Sequence, residues 1–209
     1  MKWPLNTSHF TFLDRLKICL FFLNPKKIWT MGAEVESLED TMAKYTGARY
    51  AIFTSSGSAA NTLIAMSLKD FGSPQPWSHY KREIIFPSTT WATSVTPFIR
   101  EGFVPKFIDV SPHNLSLDLH LLEQYLLEHS QKVRCVFLTS LLGFTPHMDA
   151  IKRISQKYKV EVMLDNCENH LGVFKNKNIN SFFTSTTSTY FGHLIQSVEG
   201  GFVFTNSKK

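Results

Sequence analysis

Residues 50–68 read YAIFTSSGSAANTLIAMSL, and this stretch indicates the fold. Residues 50–54 form a short strand-like run, and residues 58–68 combine small and apolar side chains in the way a buried helix does. The helical pattern starts directly after Gly57. A strand followed at once by a helix is the repeating unit of α/β proteins.

The same alternation continues along the chain. Helices are predicted at residues 35–45, 91–100, 119–128 and 148–158, and strands at residues 83–86, 104–110, 133–138, 160–164, 182–188 and 201–205. We therefore predict an α/β fold with a mostly parallel central sheet flanked by helices. The sequence stops directly after the last strand, so we expect a truncated domain.

The composition is typical of a soluble globular protein. The chain has 209 residues, of which 43% are hydrophobic and 19% are charged, so it can bury a core and is not a disordered segment. A net charge of +5 would help to hold an anionic substrate such as a nucleotide sugar, although a slightly basic surface is the simpler interpretation. No dense Lys/Arg block occurs, so we expect no nucleic-acid partner.

The cysteines point to a reducing compartment, and the N-terminal apolar run bears on membrane association. Cys19, Cys135 and Cys167 are odd in number and far apart, which argues against a disulfide framework or a zinc knuckle and favours a cytoplasmic protein. The apolar run at residues 18–23 is too short to span a membrane. We interpret it as a buried helix face within an N-terminal helical segment, residues 1–30, with membrane association as the lesser alternative. Residues 31–209 then form the main domain.

Three places could carry chemistry. At residues 54–61, Gly57 permits a tight turn, Ser58 can cap the helix, and free N–H groups there could bind a phosphate, although many helices begin this way for capping alone. Asp165 ends a strand, where it could pair with a protonated ring nitrogen or simply cap the next segment. Trp91 could stack on a flat ring or could be a core residue.

Taken together and in order, these stretches resemble the DegT/StrS family of sugar aminotransferases, which have the aspartate-aminotransferase (fold type I) architecture. The resemblance runs from about residue 30 to the end. Its motifs are residues 31–45 (MGAEVESLEDTMAKY), 56–61 (SGSAAN), 86–91 (FPSTTW), 107–110 (FIDV), Gly143 with 148–151 (MDAI), 165–168 (DNCE) and 199–201 (EGG). It implies the large domain of a pyridoxal-phosphate-dependent transferase, a further small C-terminal domain and a homodimer.

The resemblance also implies roles for individual residues. Gly57 and Ser58 would hold the phosphate of pyridoxal 5'-phosphate with backbone N–H groups, helped by Ser188. Trp91 would stack on the pyridine ring, and Asp165 would pair with the ring nitrogen. Family members carry Gln or His near the ring hydroxyl, at the position that Glu168 occupies here.

One residue departs from the aminotransferase pattern. Family aminotransferases carry a lysine six residues before the Glu of the EGG motif, and that lysine bonds covalently to the cofactor. Here the position is His193, whose imidazole cannot form that bond. A branch of the family, the nucleotide-sugar 3-dehydratases, carries histidine at this position and uses pyridoxamine 5'-phosphate. Imidazole titrates near neutral pH and suits a base that later acts as an acid.

The resemblance therefore predicts a 3-dehydratase of a nucleotide-linked 4-keto sugar, with catalytic His193 and with L-glutamate as amino donor. Two alternatives stay open: a sugar aminotransferase, and a truncated member that lost activity with the lysine. We expect no metal site, because His147 with Asp149, and Glu168 with His170, lack a third ligand at suitable spacing.

Overall fold

The computed structural model describes residues 10–70 and 81–208. Within these residues the helices are α1 (Phe12–Leu23), α2 (Ala33–Thr46), α3 (Gly57–Asp70), α4 (Ala92–Arg100), α5 (Leu119–His129) and α6 (Met148–Tyr158). The strands are β1 (Tyr50–Thr54), β2 (Glu83–Pro87), β3 (Val104–Ile108), β4 (Val133–Thr139), β5 (Glu161–Asp165), β6 (Val173–Phe174), β7 (Lys177–Asn178), β8 (Thr184–Ser188) and β9 (Gly201–Thr205).

Seven of these strands form one sheet in the order β1-β9-β8-β5-β4-β2-β3. Strand β9 runs antiparallel to both of its neighbours, and the other six strands run in one direction. The prediction of a mostly parallel sheet flanked by helices is thus confirmed. Strands β6 and β7 form a separate small hairpin that the sequence pattern did not indicate.

Helices cover both faces of the sheet, and β4 illustrates how its side chains divide between them. Cys135 and Phe137 pack in a core cluster with residues of α3 and α4, whereas Val136 and Leu138 pack in a second cluster with residues of α5 and α6. Alternate residues of a strand point to opposite faces. Burial on both faces explains why β4 is an almost unbroken apolar run rather than an alternating one.

The apolar run near the N-terminus lies on the surface of the described chain. Helix α1 begins at a capping box between Thr11 and Asp14, yet none of its side chains is buried. Phe12 and Leu23 are both 78% exposed. The prediction of a buried face at residues 18–23 is therefore wrong, because an apolar run indicates a surface that avoids water without indicating what covers it. Residues 1–9 of the predicted segment lie outside the described residues, and the domain boundary at residue 30 stays a prediction.

None of the helices in residues 10–70 and 81–208 is long and apolar enough to cross a membrane.

His170 is buried without a hydrogen-bond partner for either ring nitrogen in the described part of the chain. The side chain is 1% exposed, and its ring packs edge-on against Phe202 and Phe204. Burial lowers the pKa of His170 to about 4, because the charged imidazolium would lose its hydration there. His170 is therefore neutral in the native state at neutral pH.

We expect this burial to make the protein sensitive to acid. The unfolded chain takes up a proton at His170 near pH 6.5, and the native state does so near pH 4. The free energy of unfolding should therefore fall by about 3 kcal/mol as the pH drops from 6.5 to 4, and stay reduced below that. His170→Phe should remove this part of the pH dependence in urea unfolding, and the exposed control His113→Phe should retain it. Parallel pH profiles for the parent and His170→Phe would contradict this expectation.

Candidate active site

The carboxyl edge of the sheet gathers polar residues from strands that are distant in sequence. Thr139 pairs in register with Asp165, and Gly201 pairs with both Ser188 and Thr54. Strand β9 runs in the opposite direction, so it begins at the edge where its neighbours end. The edge therefore combines strand ends, a helix N-terminus and the connection from β8 to β9, which is where α/β sheets bind ligands.

Helix α3 starts at this edge and is capped by a serine other than the one predicted. The side chain of Ser56 accepts a hydrogen bond from the Ala59 N–H at 3.1 Å, and its carbonyl accepts from the Ala60 N–H at 3.0 Å. Ser58 lies within the first turn and is exposed. The prediction of Ser58 as the cap is wrong, because the helix begins one residue earlier. The first N–H groups of the helix have no partner within the helix and can bind an anion.

Gly57 is required by close packing and not by a turn of unusual backbone conformation. A Cβ atom at this position would lie 2.7 Å from the Cys167 sulfur and 2.8 Å from the Ser188 Cβ. The chain turns here within two residues, between Thr54 and Gly57, but the φ angle of Gly57 is not positive, so close packing is what requires a glycine. Gly201 is constrained in the same way, since its Cβ would meet the Gly57 nitrogen at 2.6 Å. The start of β9 thus packs directly on the Ser56–Gly57 peptide.

Asp165 is buried at the end of β5 and is surrounded by donors. Its Oδ2 accepts from the Asn61 side-chain amide at 2.9 Å and from the Ser94 hydroxyl at 2.6 Å, and Oδ1 accepts from the Cys167 N–H at 3.1 Å. The side chain of Cys167 is a further hydrogen-bond partner of this carboxylate. Asp165 does more than cap the segment that follows it, because it also accepts hydrogen bonds from α3 and α4.

Cys167 follows this carboxylate closely. Burial, together with the neighbouring Asp165 charge, raises the pKa of the Cys167 thiol well above its usual range. The thiol therefore stays protonated at neutral pH and is unsuited to act as a nucleophile.

The remaining predicted residues surround this centre. Trp91 is the residue before α4 and its side chain is 69% exposed, so the core interpretation is wrong and the indole is available for stacking. Ser188 is buried at the end of β8, and its hydroxyl accepts from the Tyr190 N–H at 3.2 Å. Glu168 accepts from the Leu142 N–H at 2.5 Å, which holds a loop residue whose φ is +52°.

His193 lies in the connection between β8 and β9, at the same edge of the sheet. Its N–H donates to the Tyr190 carbonyl at 2.9 Å, and its half-buried ring meets the Tyr190 ring edge-on. The connection is closed by hydrogen bonds between Thr189 and Ser197, both through the backbone and through the hydroxyls at 2.8 Å. His193 therefore lies five residues after Ser188, in a connection that begins at the end of β8, and its ring contacts Tyr190.

No role was predicted from the sequence for Asn61, Ser94 or Thr186. A signal was available in β8, where five hydroxyl residues in a row (Thr184–Ser188) replace the apolar residues expected of a central strand. Such a strand needs buried hydrogen-bond partners. Within residues 10–70 and 81–208, no group of three or more His, Cys, Asp or Glu side chains is arranged to hold a metal ion.

The fold is shared with known proteins. Residues 22–209 match the DegT/DnrJ/EryC1/StrS aminotransferase family, and the chain belongs to that family.

Its relatives include both dehydratases and aminotransferases. The GDP-4-keto-6-deoxy-D-mannose 3-dehydratase of Yersinia pseudotuberculosis is 31% identical over 183 residues, which are 87% of this chain and 45% of the relative. The UDP-2-acetamido-2-deoxy-3-oxo-D-glucuronate aminotransferase of Pseudomonas aeruginosa is 28% identical over 186 residues, covering 85% of this chain and 47% of the relative. The chain thus spans about half the length of these curated relatives.

A solved structure agrees closely with the fold. The crystal structure of a GDP-4-keto-6-deoxymannose-3-dehydratase with a trapped PLP-glutamate geminal diamine matches with a TM-score of 0.87 and 29% identity, covering 99% of this chain and 52% of that one.

The packing around Gly57 gives a direct test of the site. Gly57→Ala should lower the free energy of unfolding by about 1–3 kcal/mol, because the added methyl group overlaps Cys167 and Ser188. The matched control Ser58→Ala changes an exposed side chain in the same turn and should stay within about 0.5 kcal/mol. Urea unfolding measures both values. Equal urea midpoints for the two variants would contradict the close contact of Gly57 with Cys167 and Ser188.

Proposed function

We propose that this chain forms the cofactor-binding part of a pyridoxamine-phosphate-dependent nucleotide-sugar 3-dehydratase, acting in deoxysugar biosynthesis. The observation that carries the proposal is His193, held at the carboxyl edge at the family's lysine position. A histidine there removes the covalent attachment of the cofactor while keeping a proton-transferring group. The 3-dehydratase relative and the solved 3-dehydratase structure support this branch of the family.

The residues at the edge fit a pyridine ring that carries a phosphate. Gly57 and Ser58 lie in the first turn of α3, where backbone N–H groups have no partner within the helix and a phosphate is favoured. The Ser188 hydroxyl lies at the neighbouring strand end. The Asp165 carboxylate would pair with a protonated ring nitrogen. The exposed indole of Trp91 would cover one face of the ring.

When bound, pyridoxamine phosphate supplies an amine that condenses with a keto group and a ring that accepts electrons. Asp165 holds the positive charge on the ring nitrogen by its own negative charge. His193 would serve as the proton-transferring group, taking a proton at the cofactor C4′ carbon and returning one to the hydroxyl oxygen at C3 of the sugar. Trp91 limits access of water to the ring. Glu168 keeps the loop at Leu142 in place, and its contact with the ring hydroxyl stays a prediction.

The substrates and partners follow from the same proposal. The substrate is a nucleotide-linked 4-keto-6-deoxy sugar, and L-glutamate restores the amine form of the cofactor, in keeping with the glutamate adduct trapped in the solved 3-dehydratase. We also propose that the whole protein is a cytoplasmic homodimer. A sugar aminotransferase is the second candidate, since the relatives include one, and an inactive truncated member is the third. An aminotransferase forms an amino sugar, whereas a dehydratase forms a 3-deoxy sugar and free ammonia.

The first test measures ammonia. Incubation of the protein with pyridoxamine phosphate, glutamate and GDP-4-keto-6-deoxymannose should release ammonia in step with a 3-deoxy sugar. His193→Asn should lower that rate by about 10²–10⁴-fold, because proton transfer is lost, and should leave cofactor binding unchanged. His120→Asn, at an exposed position on α5, is the control and should retain full activity. An amino sugar as the product would favour the aminotransferase, and no product would favour the inactive member.

A second test locates His193 independently of turnover. His193→Lys should place an amine where pyridoxal phosphate can bond to it, so borohydride treatment should fix the cofactor covalently to residue 193. The parent protein should lose its cofactor on denaturation after the same treatment. Mass spectrometry of the digested protein identifies the modified residue. Absence of a labelled Lys at position 193 would contradict the position assigned to this residue.

A further inference from the structure

The Asp165 carboxylate accepts a hydrogen bond from Asn61, a side chain outside the proposed reaction. The Asn61 amide donates to Asp165 Oδ2 and also to the Thr93 carbonyl at 3.3 Å, so both of its N–H groups are used. Asn61 is 1% exposed on the inner face of α3. An amide in such a place can direct either its NH₂ group or its oxygen toward the carboxylate, and the two orientations have opposite effects.

The Asp165 carboxylate and the Thr93 carbonyl can only accept, so they favour the orientation in which the NH₂ group faces them, and Thr186 completes it by donating to the amide oxygen. The Thr186 hydroxyl, buried in β8, donates to the Asn61 Oδ1 at 2.6 Å. With the oxygen engaged by this donor, the NH₂ group faces Asp165. A flipped amide would place its oxygen against the carboxylate and leave its NH₂ group facing the Thr186 hydroxyl. Two hydrogen bonds thus connect Thr186 of β8, through Asn61 of α3, to Asp165 at the end of β5.

We propose that Asn61 and Thr186 are positioning residues for the cofactor ring: Thr186 fixes the Asn61 amide, and Asn61 holds the Asp165 carboxyl oriented toward the ring nitrogen. This inference rests on the proposed function, since it concerns the same site. Donors fixed in a buried, low-dielectric environment stabilise a charge without having to reorient. Loss of the Thr186 hydroxyl therefore weakens Asp165 as the partner of a protonated ring nitrogen, although Thr186 itself never touches the cofactor.

The neighbouring residue Thr187 provides a matched control. It lies in the same strand and is equally buried, with 0% exposure. Its hydroxyl has no hydrogen-bond partner among the described residues. Replacement of either threonine by valine exchanges one buried hydroxyl of β8 for a methyl group. Only Thr186→Val removes the hydrogen bond to Asn61.

The experiment follows the protonation of the ring nitrogen itself. Pyridoxamine phosphate labelled with ¹⁵N in the ring is bound to the protein, and its ¹⁵N chemical shift is recorded by NMR as a function of pH. Thr186→Val should lower the proton affinity of the bound ring nitrogen about tenfold, the scale of one hydrogen bond to a charged group. Asn61→Leu should act in the same direction and at least as strongly. Thr187→Val should match the parent, and Thr186→Ser should restore the parent value.

The outcomes separate the inference from the proposal beneath it. If the parent protein does not bind pyridoxamine phosphate, the proposed cofactor site is wrong and the inference falls with it. If the parent binds the cofactor and neither Thr186→Val nor Asn61→Leu changes the titration, the inference alone is wrong. Equal shifts for Thr186→Val and Thr187→Val would also overturn it, since strand packing would then explain both.

Discussion

A buried carboxylate at the end of β5 is the interaction around which this molecule is arranged. Asp165 accepts hydrogen bonds from Asn61 of α3 and Ser94 of α4, and Asn61 accepts in turn from Thr186 of β8. Four elements are therefore joined at one point. A buried charge that lost these donors would cost several kcal/mol, so the helices on this face have little freedom to shift relative to the sheet.

The second constraint is the absence of side chains where the backbones meet. Gly57 and Gly201 allow the start of α3 to contact β8 and β9 at distances that a methyl group would prevent. This contact places the N-terminus of a helix beside the carboxylate. The N–H groups at the start of α3 and the Asp165 carboxylate thus lie at the same edge. They do not pair with each other, because the carboxylate accepts hydrogen bonds from interior donors and the N–H groups remain for an anion. A ligand with a phosphate at one end and a protonated nitrogen at the other suits that arrangement.

Helix α1, Ser58 and Trp91 show why local sequence patterns leave some environments undecided. Helix α1 was expected to be buried from its apolar residues, but apolarity indicates a preference and not a covering partner. Ser58 was expected to cap α3, and the cap proved to be Ser56, since a run of serines leaves the helix start ambiguous by a residue or two. Trp91 was assigned two possible environments, and the exposed one is correct because α4 begins directly after it.

The sequence by itself determined the order of helices and strands, the mostly parallel sheet, and the residues that end β1, β5 and β8 at one edge. These depend on local periodicity and on the rule that parallel strands end together, which a single chain expresses directly. The tertiary structure alone decided that β9 runs antiparallel, that Gly57 meets Ser188 and Cys167, and that Thr186 contacts Asn61 across 125 positions of sequence. Contacts between residues so far apart depend on the packing of several elements at once, and no local pattern records them.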